Sequence, residues 1–292
     1  MTTEGVDSVV ARLTGRDVAR TVRPGPDGGV LELSDGRQVL AKRSGGPGAI
    51  AAEVAGLAWL AEPGVLDVVQ VLGHDEHWLV LEYLPPAAPT AEAARLLGRG
   101  LARLHAAGAP AFGSSPPGGP ARAWIGRAPM HNEAGGDWPG WFVEHRIRPY
   151  LRTAGERGDL ATAEVALIES ACDAVPDAAG PPVMPARVHG DLWSGNVCWS
   201  GEPVRGRLID PAAHGGHPET DLAMLALFGC PHLDAVLCGY QEVSPLSPGW
   251  RDRVGLHQLF PLLVHVVLFG TGYAGQAVAA ARSVLRIAER LT

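Results

Sequence analysis

Lysine is nearly absent from this chain. Of its 24 Lys and Arg residues, Lys42 alone is a lysine. With 38 Gly, 25 Pro and abundant Ala, this reads as a GC-rich coding bias that supplies Arg wherever a plain positive charge suffices. The one surviving lysine therefore marks a position suited to a compact ammonium on a slim stem and not to a broad guanidinium fork. Clustered positive charge is missing too. The formal net charge is −7 and no basic run occurs, which argues against nucleic acid or an anionic membrane as a partner. Cysteine is sparse: Cys172, Cys198, Cys230 and Cys238 lie in the second half without C-x-x-C spacing, so reduced thiols and a cytoplasmic location are expected. The run Cys230-Pro231-His232 offers two donors and no second pair, so no metal is read there. The N-terminal "MTTEGVDSVVARLTG" lacks the basic region and apolar stretch of a signal peptide. The apolar run "LFPLLVHVVLFG" is short and carries Pro261 and His265, so it reads as a core helix and not a membrane span.

What is present suffices for one large domain or two lobes: 292 residues, 46% of them hydrophobic. Residues 17–42 alternate apolar residues with turn signals. Gly28-Gly29 and Asp35-Gly36 are expected as hairpin turns joining three antiparallel strands, the third ending in Lys42. Residues 49–61 put Ile50, Val54, Leu57 and Ala61 on one helical face, stopped by Pro63-Gly64. "LDVVQVLGHDEHWLVLEYL" predicts two further strands, completing a small lobe that ends near Tyr83. After the connector "PPAAPT" the chain turns helical, with amphipathic stretches at 91–108, 162–175 and 255–270. The long Pro/Gly-rich stretch from Phe112 to Gly140 is expected to be either functional or mobile.

The residues that suggest chemistry lie at 188–199, "VHGDLWSGNVCW", and in the following "RLIDPAAHGGHPETDLAM". Asp191 and Asn196 are five positions apart, and Asp210 follows fourteen beyond Asn196. Phosphoryl transfer from ATP needs these parts: a strand lysine (Lys42) steadied by a helix glutamate (Glu53), an Asp to accept the hydroxyl proton, and an Asn and a second Asp for magnesium. The kinase loop H-R-D-L-x-x-x-N has the same five-residue interval. "LIDP" stands where D-F-G would, and "VCWSGEPVRGRLI" leaves room for two short strands between. A hydrolytic metal site is the rival reading, because His189, Asp191, Asp210, His214, His217 and Asp221 are all possible ligands. It leaves Asn196 and the whole first lobe unexplained. No G-x-G-x-x-G is present. Gly28 and Gly29 supply either backbone amides for phosphate oxygens or a plain hairpin turn.

With these motifs in view, the chain resembles the fructosamine kinases, or ketosamine-3-kinases, within the protein-kinase-like group that includes aminoglycoside and choline kinases. "HGDLWSGN" is the most telling match, joined by "IDPAAHGGHPETDLAM", "LARLH", "DWPGWFVEHRIRP" and "HVVLFGTGY". The resemblance runs from about Lys42 to Tyr273. It implies an α+β, bilobal protein-kinase-like fold with a small antiparallel-sheet N-lobe (1–84) and a larger, mainly helical C-lobe (85–292). It further implies Asp191 as catalytic base, Asn196 and Asp210 as Mg2+ ligands, Lys42 and Glu53 as the ATP-positioning pair, and the backbone of Glu82, Tyr83 and Leu84 facing adenine. Two aromatic residues are usual where His214 and Gly215 stand, a basic residue where Pro218 stands, and Asn where Val264 stands. These departures are expected near the sugar side.

The expected reaction is ATP-dependent phosphorylation of a sugar hydroxyl, the 3-OH, on a ketosamine or glycated amine or protein. Trp193 and His265 are the candidate sugar contacts. Alternatives are a kinase for another small alcohol, such as an aminoglycoside or choline, and a nucleotide-binding pseudokinase.

Overall fold

The computed structural model describes residues 4–44 and 46–291. Met1–Thr3, where the signal-peptide reading begins, Gly45 in the loop after the lysine strand, and Thr292 lie outside the described residues. The N-terminal part opens with helix α1 (Val6–Thr14), followed by strands β1 (Val18–Gly25), β2 (Gly28–Leu33) and β3 (Gln38–Arg43). Helix α2 (Ala49–Ala61) comes next, then β4 (Asp67–Val68), β5 (Val71–His74) and β6 (Trp78–Glu82). Five of these strands form an antiparallel sheet in the order β1-β2-β3-β6-β5.

The two-residue period of a strand decides what each face sees. In β3 and β6, Val39, Ala41 and Val80 pack beneath α1 with Val10, Leu31 and Leu33. The intervening Leu79 and Leu81 meet Ile50 and Leu57 of α2 on the other face. Lys42 lies one residue beyond Ala41, so its side chain shares the α2 face. The predicted helix face holds for Ile50 and Leu57, both buried, and for Val54, half-buried; Ala61 is exposed because α2 ends there.

One expected turn moves. The β1–β2 reversal uses Pro26 and Asp27, and Gly25 pairs with Gly28, so Gly28 and Gly29 open β2 instead of forming the turn. Their missing side chains serve close strand approach: a Cβ on Gly28 would stand 2.0 Å from the Ala41 carbonyl oxygen. Helix α1, which covers the second face of the sheet, and the short β4 have no counterpart in the sequence expectations.

The C-terminal part carries α3 (Ala91–Ala106), the hairpin β7 (Arg122–Ile125) and β8 (Ala128–His131), α4 (Trp138–Phe142), α5 (Arg148–Arg157) and α6 (Thr162–Ala178). Short strands β9 (Ala186–Val188), β10 (Val197–Ser200), β11 (Arg205–Leu208) and β12 (His214–Gly216) follow. Helices α7 (Pro218–Leu227), α8 (Leu233–Val243), α9 (Trp250–Phe269) and α10 (Ala274–Leu291) complete the chain. Trp250–Arg290 is long and apolar enough to cross a membrane by length and composition. Half of its most apolar 18-residue window is nevertheless packed inside the fold, and Leu256, Leu259, Phe260, Leu263 and Val266 belong to the largest core.

The stretch from Phe112 to Gly140 is ordered. It contains the β7–β8 hairpin, anchored by the buried Arg146, which donates to His131 O at 2.8 Å and Asn132 Oδ1 at 2.8 Å. The Arg146 guanidinium also lies 4.5 Å from the Trp141 ring centroid. Burial lowers its pKa to about 10, still far above neutrality, so it remains a fixed charge in the core.

Strand pairing and an ion pair are among the ties that join the sheet-bearing part to the helical part. Strand β4 pairs in parallel with β11, and Glu82, at the end of β6, forms an ion pair with Arg207 at 3.2 Å. The hairpin that carries Asp210 is thus registered directly against the strand system that carries Lys42.

Candidate active site

Strand β3 and helix α2 bring Lys42 and Glu53 together. Their Nζ–Oε1 distance is 2.7 Å, and Lys42 Nζ also bonds Asp210 Oδ1 from the far side of the cleft. Burial opposes the ammonium charge, but the carboxylates of Glu53 and Asp210 outweigh it and raise the Lys42 pKa, so the charge is permanent. Asp210 has φ 51°, a left-handed conformation uncommon outside glycine. Such strain persists only where surrounding structure enforces it. Here Ile209 N donates to Asn196 O at 3.1 Å just before the residue, and Pro211 follows it.

The loop between β9 and β10 carries the remaining groups. Asn196 Nδ2 donates to Asp191 O at 2.8 Å and to Asp191 Oδ2 at 3.2 Å, with Asp210 O at 3.4 Å. Three acceptors on the nitrogen leave Oδ1 as the open end of the amide. Burial, reinforced by the negative charge of Asp210 and Asp221, pushes the Asp191 carboxyl up to about 7, against the stabilising bond from Asn196. A carboxylate so placed is a competent proton acceptor near neutral pH.

Lys42, Glu53, Asp191, Asn196 and Asp210 line one cavity of about 360 Å³. The β7–β8 region closes one side of it through Pro116, Pro120 and Trp124. Trp124 Nε1 donates to Pro47 O at 3.2 Å, clasping the loop that follows the lysine strand. Sequence reasoning did not identify this wall. The available signal was a Trp inside an unusually long Pro/Gly-rich segment. The donor set of Asn196 Oδ1 and the Asp210 carboxylate consists of hard oxygens, the chemistry that suits Mg2+.

The other expected residues fall into place unevenly. Gly28 lies opposite Lys42 in the β2–β3 pairing, beside the cavity and not at a loop tip. The amides of Glu82 and Tyr83 are engaged by Gln70 O and Gln38 O. Among the described residues no backbone acceptor takes the Leu84 amide. The Glu82 side chain faces Arg207, not the cavity. Trp193 is 39% exposed two residues beyond Asp191, and its amide donates to Asp191 O at 3.1 Å. His265, half-buried on α9, donates through Nδ1 to Pro261 O at 2.7 Å. None of the four departures lines the cavity: His214, Gly215 and Val264 are buried in packing, and Pro218 opens α7.

The rival metal reading loses its ligands to structural bonds. His189 Nε2 donates to Ile209 O, His214 Nδ1 donates to Ala212 O, and His217 Nδ1 accepts the Glu219 amide. Asp221, fully buried, accepts the amides of His189 and Gly190 and the Nε2–H of His105 at 3.1 Å. It supports the 189–196 loop from behind, a role that the Glu-x-Asp-Leu-Ala motif could have signalled. Among the described residues, a convergent donor cluster occurs at His217, Glu219 and His257, where the Arg253 guanidinium already holds both Glu219 oxygens.

An antiparallel sheet with one helix beside the lysine strand, a helical second part and this cleft define a protein-kinase-like phosphotransferase. A choline kinase structure from Streptococcus pneumoniae shares the fold, with TM-score 0.64 at 15% identity over 96% of this chain and 98% of that one. The chain belongs to the fructosamine kinase family, whose family model matches residues 39–287. A Synechocystis sp. protein described as a probable ketoamine kinase is 36% identical over 81% of this chain and 78% of its own length. The chloroplastic protein-ribulosamine 3-kinase of Arabidopsis thaliana is 30% identical over 85% and 76%. A crystal structure of a Thermobifida fusca protein assigned as a fructosamine-3-kinase superposes with TM-score 0.89 at 45% identity, covering 97% of this chain and 99% of that one.

Proposed function

We propose that this kinase transfers the γ-phosphoryl group of ATP to a sugar hydroxyl, the 3-OH, of a ketosamine such as a ribulosamine or fructosamine adduct of an amine or protein. The carrying observation is that Lys42, Glu53, Asp191, Asn196 and Asp210 share one cavity. Residues 1–84 hold the nucleotide and 85–292 the acceptor, with the Leu84 amide turned to adenine and the Gly28–Gly29 backbone beside the phosphates. Lys42, steadied by Glu53, stabilises the charge that develops on the phosphates. Asp191 orients the acceptor hydroxyl and takes its proton as the phosphorus–oxygen bond forms. Asn196 and Asp210 would hold Mg2+, which would neutralise charge on the triphosphate. Trp193 and His265 contact the sugar. The ketosamine assignment draws on the names of the relatives and on the Trp193-containing loop. A cytoplasmic location belongs to this reading, on the sparse and unpatterned cysteines of the sequence.

An ADP-release assay over an acceptor panel tests this. Ribulosamine and fructosamine derivatives are expected to outrun free ribulose, choline and kanamycin. Choline or kanamycin outrunning the ketosamines would overturn the acceptor assignment, and ATP binding without transfer to any alcohol would mean a pseudokinase.

A further inference from the structure

Trp193 of the 189–196 loop, Phe228 after α7, His265 and Phe269 of α9, and Tyr273 beyond it form one connected ring surface. Trp193 meets Phe228 edge-on at 6.3 Å between centroids. Phe228, at the end of α7, packs on His265 at 4.9 Å and Tyr273 at 6.2 Å. His265 in turn meets Phe269 at 5.4 Å and Tyr273 at 4.9 Å. This surface is open. Of the six exposed large hydrophobic residues among those described, three belong to it: Trp193 at 39%, Phe228 at 37% and Phe269 at 57%. Rings that pack on one another yet stay this exposed mark an interaction surface.

The Trp193 indole lies flat over Gly195, where a Cβ would approach within 2.3 Å, so its orientation is fixed by the loop that carries Asp191. Through Trp193 the rings are joined to the loop that carries Asp191. Along this chain of contacts Trp193 and Phe228 stand nearest the Asp191 loop and Phe269 and Tyr273 lie beyond them, which assigns the outer rings to the substituent on the sugar. Their chemistry selects that substituent. Aromatic faces are electron-rich and attract cations, and His265 adds no charge, because burial lowers its pKa. Asp159, 3.7 Å from the Cβ position of Gly270, adds a negative charge at the Phe269 end.

We propose that Phe228, Phe269 and Tyr273 form a subsite for the amine carrier of the acceptor, binding an alkylammonium chain over their faces. This rests on the ketosamine reading and deepens it, since it assigns the surface to the part of the substrate that is not sugar.

The test uses two ketoses that differ in one atom: a 1-deoxy-1-alkylamino ketose, cationic at neutral pH, and its 1-O-alkyl ether. Phe228→Leu and Phe269→Leu keep an apolar side chain and remove the ring. Each is expected to lower the ratio of kcat/KM, amine over ether, by about three- to tenfold. Tyr273→Leu serves as a third variant on an independent element. Ratios that stay at the wild-type value in all three would overturn the inference while leaving the acceptor reading intact. A wild-type enzyme that phosphorylates neither ketose but does phosphorylate another alcohol would overturn the acceptor reading, and this inference with it.

Discussion

The Asp221 carboxylate accepts the Gly190 amide at 2.9 Å, across 31 positions of sequence. Its other oxygen takes the His189 amide at 2.8 Å and the His105 ring at 3.1 Å. One buried side chain thereby satisfies two successive amides of a loop that no strand or helix could pair. Asp221→Ala removes those acceptors and is expected to cost about 2–5 kcal/mol, as leaving several buried donors unsatisfied does. Denaturant unfolding measures the cost. A variant with wild-type stability would mean that the loop is held by other contacts.

Lys42→Arg keeps the charge but places a wider group between Glu53 and Asp210. Turnover is expected to fall by about two orders of magnitude or more, as when a positioned transition-state contact is lost. The apolar pattern of β3 is untouched, so the circular dichroism spectrum and unfolding midpoint stay near wild type. Wild-type turnover in the variant would remove the functional meaning of the lone lysine.

Asp191→Asn and Asp210→Asn are expected to separate transfer from nucleotide binding. The first is expected to abolish transfer and leave Mg-ATP affinity within about threefold, because Asp191 is the proposed base for the acceptor hydroxyl. The second weakens the metal–nucleotide complex itself. Titration calorimetry returning the reverse pattern would interchange the two roles.

Trp193→Ala is expected to raise the acceptor KM or lower kcat by about tenfold, with a smaller effect on ATP binding, since the indole flanks the catalytic loop on its exposed side. Equal losses for both substrates would make Trp193 a packing residue over Gly195 only.

Acid stability depends on Glu219. Burial opposes its charge, but His257 3.3 Å away and the two hydrogen bonds from Arg253 hold the carboxyl down at about 2, from an ordinary 4.5. A depressed pKa means stability that is complete above the unfolded value and is lost as pH falls from about 5 toward 2, on the order of 3 kcal/mol. Glu219→Gln should flatten the stability–pH curve in that window. An unchanged acid slope in the variant would assign the loss to other carboxylates.

Much of the site was legible in the chain because its chemistry is local. The Asp191–Asn196 interval, the Asp210 strand end and the β10–β11 hairpin between them are short-range facts written in residue order. Lys42 stood out by composition, and the alternation of β3 implied its face. The β2 turn was misread by two residues because glycine signals both turns and close strand approach, and only the β3 partner distinguishes them. Four features were not read from residue order: α1 covering the second face of the sheet, Trp124 closing the cavity, Asp221 reaching the loop amides, and the rings that meet Trp193. Each joins segments far apart in the chain. Residue order therefore determined which groups could carry phosphoryl transfer and in what register. Tertiary packing decided which of them share a cavity, because burial, the Asp191 proton affinity and an exposed ring surface exist only once distant elements touch.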